Sequence, residues 1–224
     1  MADRRERLRS MRLYALLTER QCRQPWRDTA EMLIRGGVDA IQLREKRMPD
    51  GELLDRARVL REMTAGADVL FIVNDRPDIA LLSQADGVHV GQGDLPPAEV
   101  RSLLGRDLLV GFSTHSLEQA RAACESPVDY VAIGPVAPTQ TKGYDQGIGM
   151  DMVGEVCALC AAKGLPVVAI GGIAHDTVMP VMRAGAAAIA ACSALCGDRD
   201  PLSAAQELRA LVDKAVAERG EARE

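Results

Sequence analysis

The stretch 70-LFIVNDRPDIALLSQADGVHVGQGDLPPAEV-100 holds two short apolar runs, Leu70-Val73 and Gly87-Val90, and each leads within a few residues to an aspartate and a proline. Proline needs no backbone N–H in the first turn of a helix, so Pro77, after Asp75-Arg76, and Pro96-Pro97, after Asp94, mark helix starts. Read this way, the stretch is strand, helix, strand, helix. The same alternation extends in both directions. Further apolar, β-branched runs lie at Leu13-Leu17, Ala40-Leu43, Leu109-Phe112, Tyr130-Ile133, Val167-Ile170 and Ala188-Ala191, which makes eight in all. Between them, 27-RDTAEMLIRGG-37, 52-ELLDRARVLREM-63, 117-LEQARAAC-124, 152-MVGEVCALCAAK-163 and 203-SAAQELRALVDKAVAE-218 carry apolar residues at helical spacing. Ser116 precedes one of these as an N-cap, and Pro180 is tolerated if its helix starts near Thr177.

Eight strands alternating with helices over 224 residues fit a single-domain α/β fold, the (β/α)8 or TIM barrel. An open doubly wound sheet is disfavoured, because no G-x-G-x-x-G follows the first strand and polar residues end at least six runs instead of marking one switch point. The domain is expected to span 1–224, with 1–12 an N-terminal extension and 219–224 a flexible tail.

Composition restricts the function. At 47% apolar residues the chain closes one sizeable core, and a formal charge of −5 with dispersed basic residues argues against nucleic acid as a partner. The basic leader is followed only by the short run Leu13 to Leu17, too little for a signal-peptide core, and no segment is long enough to span a bilayer. A cytoplasmic protein with no membrane partner is expected. Six cysteines include Cys157-x-x-Cys160, but that pair lies in a helical pattern with no second Cys/His pair, so buried reduced thiols are the better reading.

A barrel gathers the C-terminal ends of its strands on one face. Those ends supply the cations Arg44, Lys46 and Lys142, the hydroxyls Ser113, Thr139 and Thr141, and two carboxylates, Asp75 and Asp94, after neighbouring strands. Strand alternation sends 42, 44 and 46 to one side. Carboxylates beside cations suit Mg²⁺ held with substrate phosphates, so a diphosphate satisfies both sets. In 138-PTQTKGYDQGIG-149, glycines let the backbone approach such a ligand while the threonines and lysine direct donors at it. The loops 170-IGGI-173 and 192-CSAL-195, after the seventh and eighth strands, are expected to bind a second, single phosphate, with Ser193 at the start of a short helix. Asp75 and Asp94 also have a plainer reading as caps of the helices they precede. His89, mid-strand, reads as a hydrogen-bonded interior residue, and His115 at a strand end suits a cap as well as a substrate contact.

The runs 41-IQLREK-46, 73-VNDRPDIA-80, 86-DGVHVGQGDLP-96, 110-VGFSTHS-116, 132-AIGPVAPTQTK-142 and 169-AIGGI-173, in this order, resemble the thiamine phosphate synthase family, also called thiamine-phosphate pyrophosphorylases. The resemblance runs from about Leu13 to Leu195. It implies a TIM barrel and a transferase that uses Mg²⁺. The implied reaction joins 4-amino-2-methyl-5-hydroxymethylpyrimidine diphosphate to a thiazole phosphate, giving thiamine phosphate and pyrophosphate. By the same resemblance Gln42, Arg44, Lys46, Asn74, Ser113 and Lys142 meet the pyrimidine diphosphate, while Asp75 and Asp94 hold magnesium. Thr139, Thr141, Gly172 and the Cys192-Ser193 peptide fall on the thiazole phosphate side, although composition alone puts both threonines on the diphosphate; their division stays open. Glu45 and Gln140, between these residues, complete the expected substrate-binding set, and Lys142, Arg44, Lys46 and Ser113 are its expected catalytic members. Two departures from the family pattern stand out, Thr18-Glu19 for Thr-Asp and Cys192 for an aliphatic residue. A thiazole tautomerase of the same barrel family and a non-catalytic phosphate-ligand sensor are the alternatives. Neither needs both a diphosphate cluster and two aspartates.

Overall fold

The computed structural model describes residues 3–138 and 146–221. Its core is a closed barrel of eight parallel strands: Leu13–Leu17 (β1), Ala40–Leu43 (β2), Leu70–Asn74 (β3), Gly87–Val90 (β4), Leu109–Thr114 (β5), Tyr130–Ile133 (β6), Val167–Ile170 (β7) and Ala188–Ala191 (β8). The strands follow chain order around the ring. Closure is made where Leu13, Tyr14 and Ala15 pair with Ile189, Ala190 and Ala191. Strands β3 and β5 run on past their apolar segments through Asn74 and Thr114, so these polar ends are still held in the ladder.

Around the barrel pack Trp26–Arg35 (α2), Asp50–Ala65 (α3), Pro77–Leu82 (α4), Pro97–Leu104 (α5), Leu117–Cys124 (α6), Gly149–Ala161 (α7), His175–Arg183 (α8) and Pro201–Glu221 (α9), after an N-terminal helix, Arg4–Ser10 (α1). Alternation along each strand makes two cores. One lies between sheet and helices, where Ile41, Leu43, Phe71, Val73, Val131 and Ile133 meet the helices' apolar faces. Cys157 and Cys160 are buried in it on α7. The other fills the barrel with Tyr14, Leu16, Leu70, Ile72, Leu109, Tyr130 and Val168. Each fully buried aliphatic side chain contributes about 1.5–3 kcal/mol.

The ends of the chain differ from expectation. The segment 1–12 was expected only as an extension, yet Arg4–Ser10 folds into a helix, and Leu8 and Met11 join the barrel-lining core. Arg4, Arg5 and Arg7 reach carboxylates: Arg4 Nε lies 3.1 Å from Asp86, Arg5 Nε 3.1 Å from Asp129 and Arg7 Nε 3.0 Å from Asp68. At the other end α9 continues through Glu221, so residues 219–221 of the expected tail are helical, and 222–224 lie outside the described residues. Arg219 holds that last turn by donating to the carbonyls of Met182 and Ala186. Helix α8 begins at His175, two residues before Thr177, because the Thr177 hydroxyl accepts the Ala174 N–H at 2.8 Å. Pro180 thus lies inside the helix, where it removes one backbone hydrogen bond.

Three aspartates just before even-numbered strands fasten the bottom of the barrel. Asp39 accepts the N–H of Leu13, Asp86 that of Phe71 and Asp129 that of Val110, each across to the preceding odd-numbered strand. Asp86 is the most deeply committed, buried against Arg7 and also paired with Arg4 and Arg61. Asp86→Ala leaves buried guanidinium charge and the Phe71 N–H without their acceptor. It should lower unfolding stability in urea by about 3–5 kcal/mol, with the barrel's C-terminal face still able to bind anions.

Candidate active site

Strand ends β2 to β5 surround an open cavity of about 510 Å³ at the C-terminal face, a size suited to a small-molecule ligand. Gln42, Arg44 and Lys46 line it from β2 and the loop beyond, Asn74 and Asp75 from β3, His89 and Asp94 from β4 and its loop, and Ser113 and His115 from β5. An adjoining recess shares Arg44, Ser113 and His115 and continues to Gly171, Gly172, Cys192 and Ser193. Apart from Glu45, the expected residues on the described chain therefore line these two recesses, with Arg44 where they join. Thr139, Gln140, Thr141 and Lys142 lie outside the described residues.

Arg44 lines both recesses. It is 6% exposed, and its guanidinium has no hydrogen-bond acceptor or carboxylate partner among the described residues. Its stem is packed in the barrel while the guanidinium faces the open cavity, where an anion would give it the partner that no described residue supplies. Lys46 differs, being half exposed with Nζ 3.3 Å from Asp75 Oδ2.

Asp75 and Asp94 do not cap their helices. Helix α4 starts at Pro77 after Arg76, and α5 at Pro97 after Pro96. Asp94 turns back to accept the Gly91 N–H at 2.7 Å. Asp75 sits at a φ of 62°, its N–H fixed on the His89 carbonyl at 2.8 Å, a left-handed conformation that aspartate tolerates better than most residues. Burial pushes the Asp75 carboxyl pKa up, and hydrogen bonding with Asp94 adds to this, while Lys46 opposes it. Two acidic side chains that meet beside an open cavity are a donor set that fits a hard divalent cation sharing oxygen ligands with a phosphate.

Glu45 is committed elsewhere. Its Oε1 accepts the Glu19 N–H and lies 3.3 Å from Arg56, which also pairs with Glu19. This gives the Thr18-Glu19 departure a local reason, since the longer glutamate reaches Arg56. Thr114 likewise turns to the Ala132 carbonyl. His115 Nδ1 donates to the Gly134 carbonyl at 2.6 Å, tying β5 to β6, while Ser116 is the N-cap of α6, its Oγ accepting the Gln119 N–H. Burial pushes the Cys192 thiol up to about 11, so at neutral pH it stands beside the recess as a neutral thiol and a small apolar group, much as an aliphatic residue would. Ser193 opens a hydrogen-bonded turn, not the short helix expected there, with Gly197 N–H returning to its carbonyl.

Sequence reasoning missed the barrel's interior polar groups. His89 is indeed hydrogen-bonded inside, but its partners are Tyr130 Oη at 3.0 Å and Ser113 Oγ at 2.8 Å. Tyr14 and Tyr130 lie in apolar runs that gave no sign of a polar contact; their inward strand positions were the available signal.

A closed barrel whose C-terminal rim carries a carboxylate pair and a cation with no anionic partner among the described residues has the features of a (β/α)8 enzyme for anionic small molecules. The model of the family described as thiamine monophosphate synthase matches residues 13–195. The thiamine-phosphate synthase of Shouchella clausii is 41% identical over 216 residues, covering 93% of this chain and 99% of that protein. That of Methanoculleus marisnigri is 43% identical over 191 residues, covering 85% and 90%. The solved thiamine phosphate pyrophosphorylase from Pyrococcus furiosus superposes with a TM-score of 0.85 at 34% identity, covering 93% of this chain and 99% of its own. The chain belongs to the thiamine monophosphate synthase family and is a transferase of thiamine biosynthesis. Among the described residues no helix is long and apolar enough to cross a membrane.

Gly172 has a conformational role, the plainer of the two readings open to the Gly171-Gly172 pair. Its φ is 71°, and a Cβ there would lie 2.7 Å from both Cβ and O of Ala137, whose N–H bonds the Gly171 carbonyl. Gly172→Ala should therefore destabilise the fold by at least about 1–2 kcal/mol and weaken both anionic ligands together. Unchanged unfolding with selective loss of the single-phosphate ligand would instead show that glycine is required by the ligand.

Proposed function

We propose that the chain condenses 4-amino-2-methyl-5-hydroxymethylpyrimidine diphosphate with a thiazole phosphate, releasing thiamine phosphate and pyrophosphate. The observation that carries this reading is Arg44, largely buried and without an anionic partner among the described residues, where two recesses adjoin; there it would meet a diphosphate on one side and a single phosphate on the other. Gln42, Asn74 and Ser113 hold the pyrimidine diphosphate together with Arg44 and Lys46. The peptides of Gly172, Cys192 and Ser193 face the thiazole phosphate, and Ser193 offers its N–H and hydroxyl. Thr139, Gln140, Thr141 and Lys142 complete the anion site from the β6–α7 connection, with Lys142 on the leaving group.

Among the described residues no serine, cysteine or lysine is set against a free base for covalent catalysis. The nearest candidate, Ser113 against His89 Nε2, has its imidazole engaged on the far side by Tyr130. Catalysis then rests on charge and placement. Arg44, Lys46 and Lys142 stabilise negative charge that grows on the departing pyrophosphate. The pyrimidine amino group feeds electrons toward the methylene carbon, the C–O bond breaks first, and the resulting cation is captured by the thiazole nitrogen held beside it. Asp75 and Asp94 would hold Mg²⁺, which when bound supplies further positive charge to the diphosphate. A thiazole tautomerase has no use for this carboxylate pair beside a cation cluster, and a sensor has no use for a leaving-group site. The reaction is expected in the cytoplasm.

Mixing both substrates with magnesium tests the proposal: pyrophosphate should be released in step with thiamine phosphate. Asp75→Asn and Asp94→Asn should each shift the magnesium requirement upward and slow turnover by about a hundredfold or more, or roughly 2.7 kcal/mol of transition-state stabilisation. Lys142→Ala should slow pyrophosphate departure more than it weakens thiazole phosphate binding. No turnover of the paired substrates by the parent enzyme would refute the reading.

A further inference from the structure

The barrel interior contains an unbroken line of polar contacts between two cavity-lining residues on different strands. Gln42 Nε2 lies 2.7 Å from Tyr14 Oη, and Tyr14 Oη 3.2 Å from Tyr130 Oη. Tyr130 Oη is 3.0 Å from His89 Nδ1, and His89 Nε2 is 2.8 Å from Ser113 Oγ. Gln42, Tyr14, Tyr130 and His89 are all buried. Burial raises the pKa of both phenols, so each keeps its proton at neutral pH and has one hydrogen to place. The line is built into the strands. Gly111 pairs with His89 on one side and Tyr130 on the other, and a Cβ at Gly111 would run into the Tyr130 ring and His89 Nδ1.

We infer that this line is a polarised relay that fixes which way the Gln42 amide faces, making Tyr14, Tyr130 and His89 positioning residues that set selectivity for an aminopyrimidine. The inference rests on the reading that the cavity takes the pyrimidine diphosphate. An amide N–H can only donate, so with Nε2 toward Tyr14 the direction of every later contact follows. Tyr14 donates to Tyr130, Tyr130 donates to His89 Nδ1, and the neutral imidazole carries its hydrogen on Nε2 and donates to Ser113 Oγ. The Ser113 hydrogen is left to point at the ligand. Gln42 Oε1 and the second Nε2 hydrogen face the cavity as an acceptor beside a donor, which complements the amino group and ring nitrogen of a 4-aminopyrimidine. A 4-oxopyrimidine presents the opposite pair.

The reversed line, with the amide turned over, also satisfies every internal group, so the groups at its ends decide. Reversal makes Ser113 donate inward to His89 Nε2 and leaves only its lone pairs toward a diphosphate, which repels them. The anion at the Ser113 end therefore selects the direction that makes Gln42 accept from an amino group. An imidazolium at His89 is excluded in the forward direction. Tyr130 would have to accept from it and donate to Tyr14, and the buried Tyr14 hydroxyl would then have no acceptor for its own hydrogen.

Two measurements test this. With inorganic pyrophosphate saturating the site, ¹⁵N NMR of histidine-labelled protein at neutral pH should show His89, assigned by its loss in His89→Asn, as the neutral tautomer protonated on Nε2. Protonation on Nδ1, or an imidazolium, would overturn the relay. This readout needs no turnover, so it stands or falls separately from the proposed reaction. In the second, calorimetry compares 4-amino- and 4-oxopyrimidine diphosphates on the parent and on Tyr14→Phe and Tyr130→Phe, each shown to unfold cooperatively. The affinity ratio in favour of the amino compound should fall by about tenfold in both variants, the worth of one hydrogen bond, because the amide is freed to turn. A merely structural defect weakens both ligands equally. An unchanged ratio in both variants would overturn the inference.

Discussion

Pairing of β1 with β8 is the constraint on which the rest depends. Once Leu13, Tyr14 and Ala15 lie against Ile189, Ala190 and Ala191, the sheet has no edge and its eight C-terminal ends must share one rim. Gln42 and Ser193, far apart in sequence, then belong to one surface. Closure also creates an interior with no access to bulk water except through that rim, so polar side chains inside it must satisfy one another or face the cavity. The Gln42-to-Ser113 line does the first and Arg44 the second.

The opposite end makes the rim affordable. Asp39, Asp86 and Asp129 each tie the start of an odd-numbered strand, and α1 covers the interior from below with Leu8 and Met11. The lower end carries charge pairs centred on buried or half-buried aspartates, while the upper face keeps the cation Arg44 and a left-handed Asp75 backbone at the cavity. This separation lets loops at the top change chemistry without loss of the barrel.

Much of this was legible in the sequence because β-branched runs and proline-marked helix starts are local signals. The strand runs at Leu13-Leu17 and Tyr130-Ile133 and the helix from Leu117 to Cys124 coincide with the structure. The convergence of Gln42, Arg44, Lys46, Asn74, Asp75, Asp94 and Ser113 followed from strand-end logic and the motif order together. What was not legible depends on partners distant in the chain. Glu45 is expected beside the substrate, but its Arg56 partner cannot be read from the sequence, and nothing local chooses between a phosphate glycine and a turn glycine at Gly172 until Ala137 is seen beside its Cα. The basic leader gave no hint of a helix because its carboxylate partners lie at positions 68, 86 and 129. Tyr14 and Tyr130 could be read as buried, but not as bonded to each other.

The central claim is that one rim holds two anions at once, in adjoining recesses that share Arg44. Calorimetric titration of inorganic pyrophosphate and of thiazole phosphate, each alone and each into protein saturated with the other in the presence of magnesium, tests it most directly. Two separate sites predict one equivalent of each ligand bound at the same time, with Arg44→Met weakening the pyrophosphate site most. Mutual exclusion, in which either ligand abolishes binding of the other, would contradict the account.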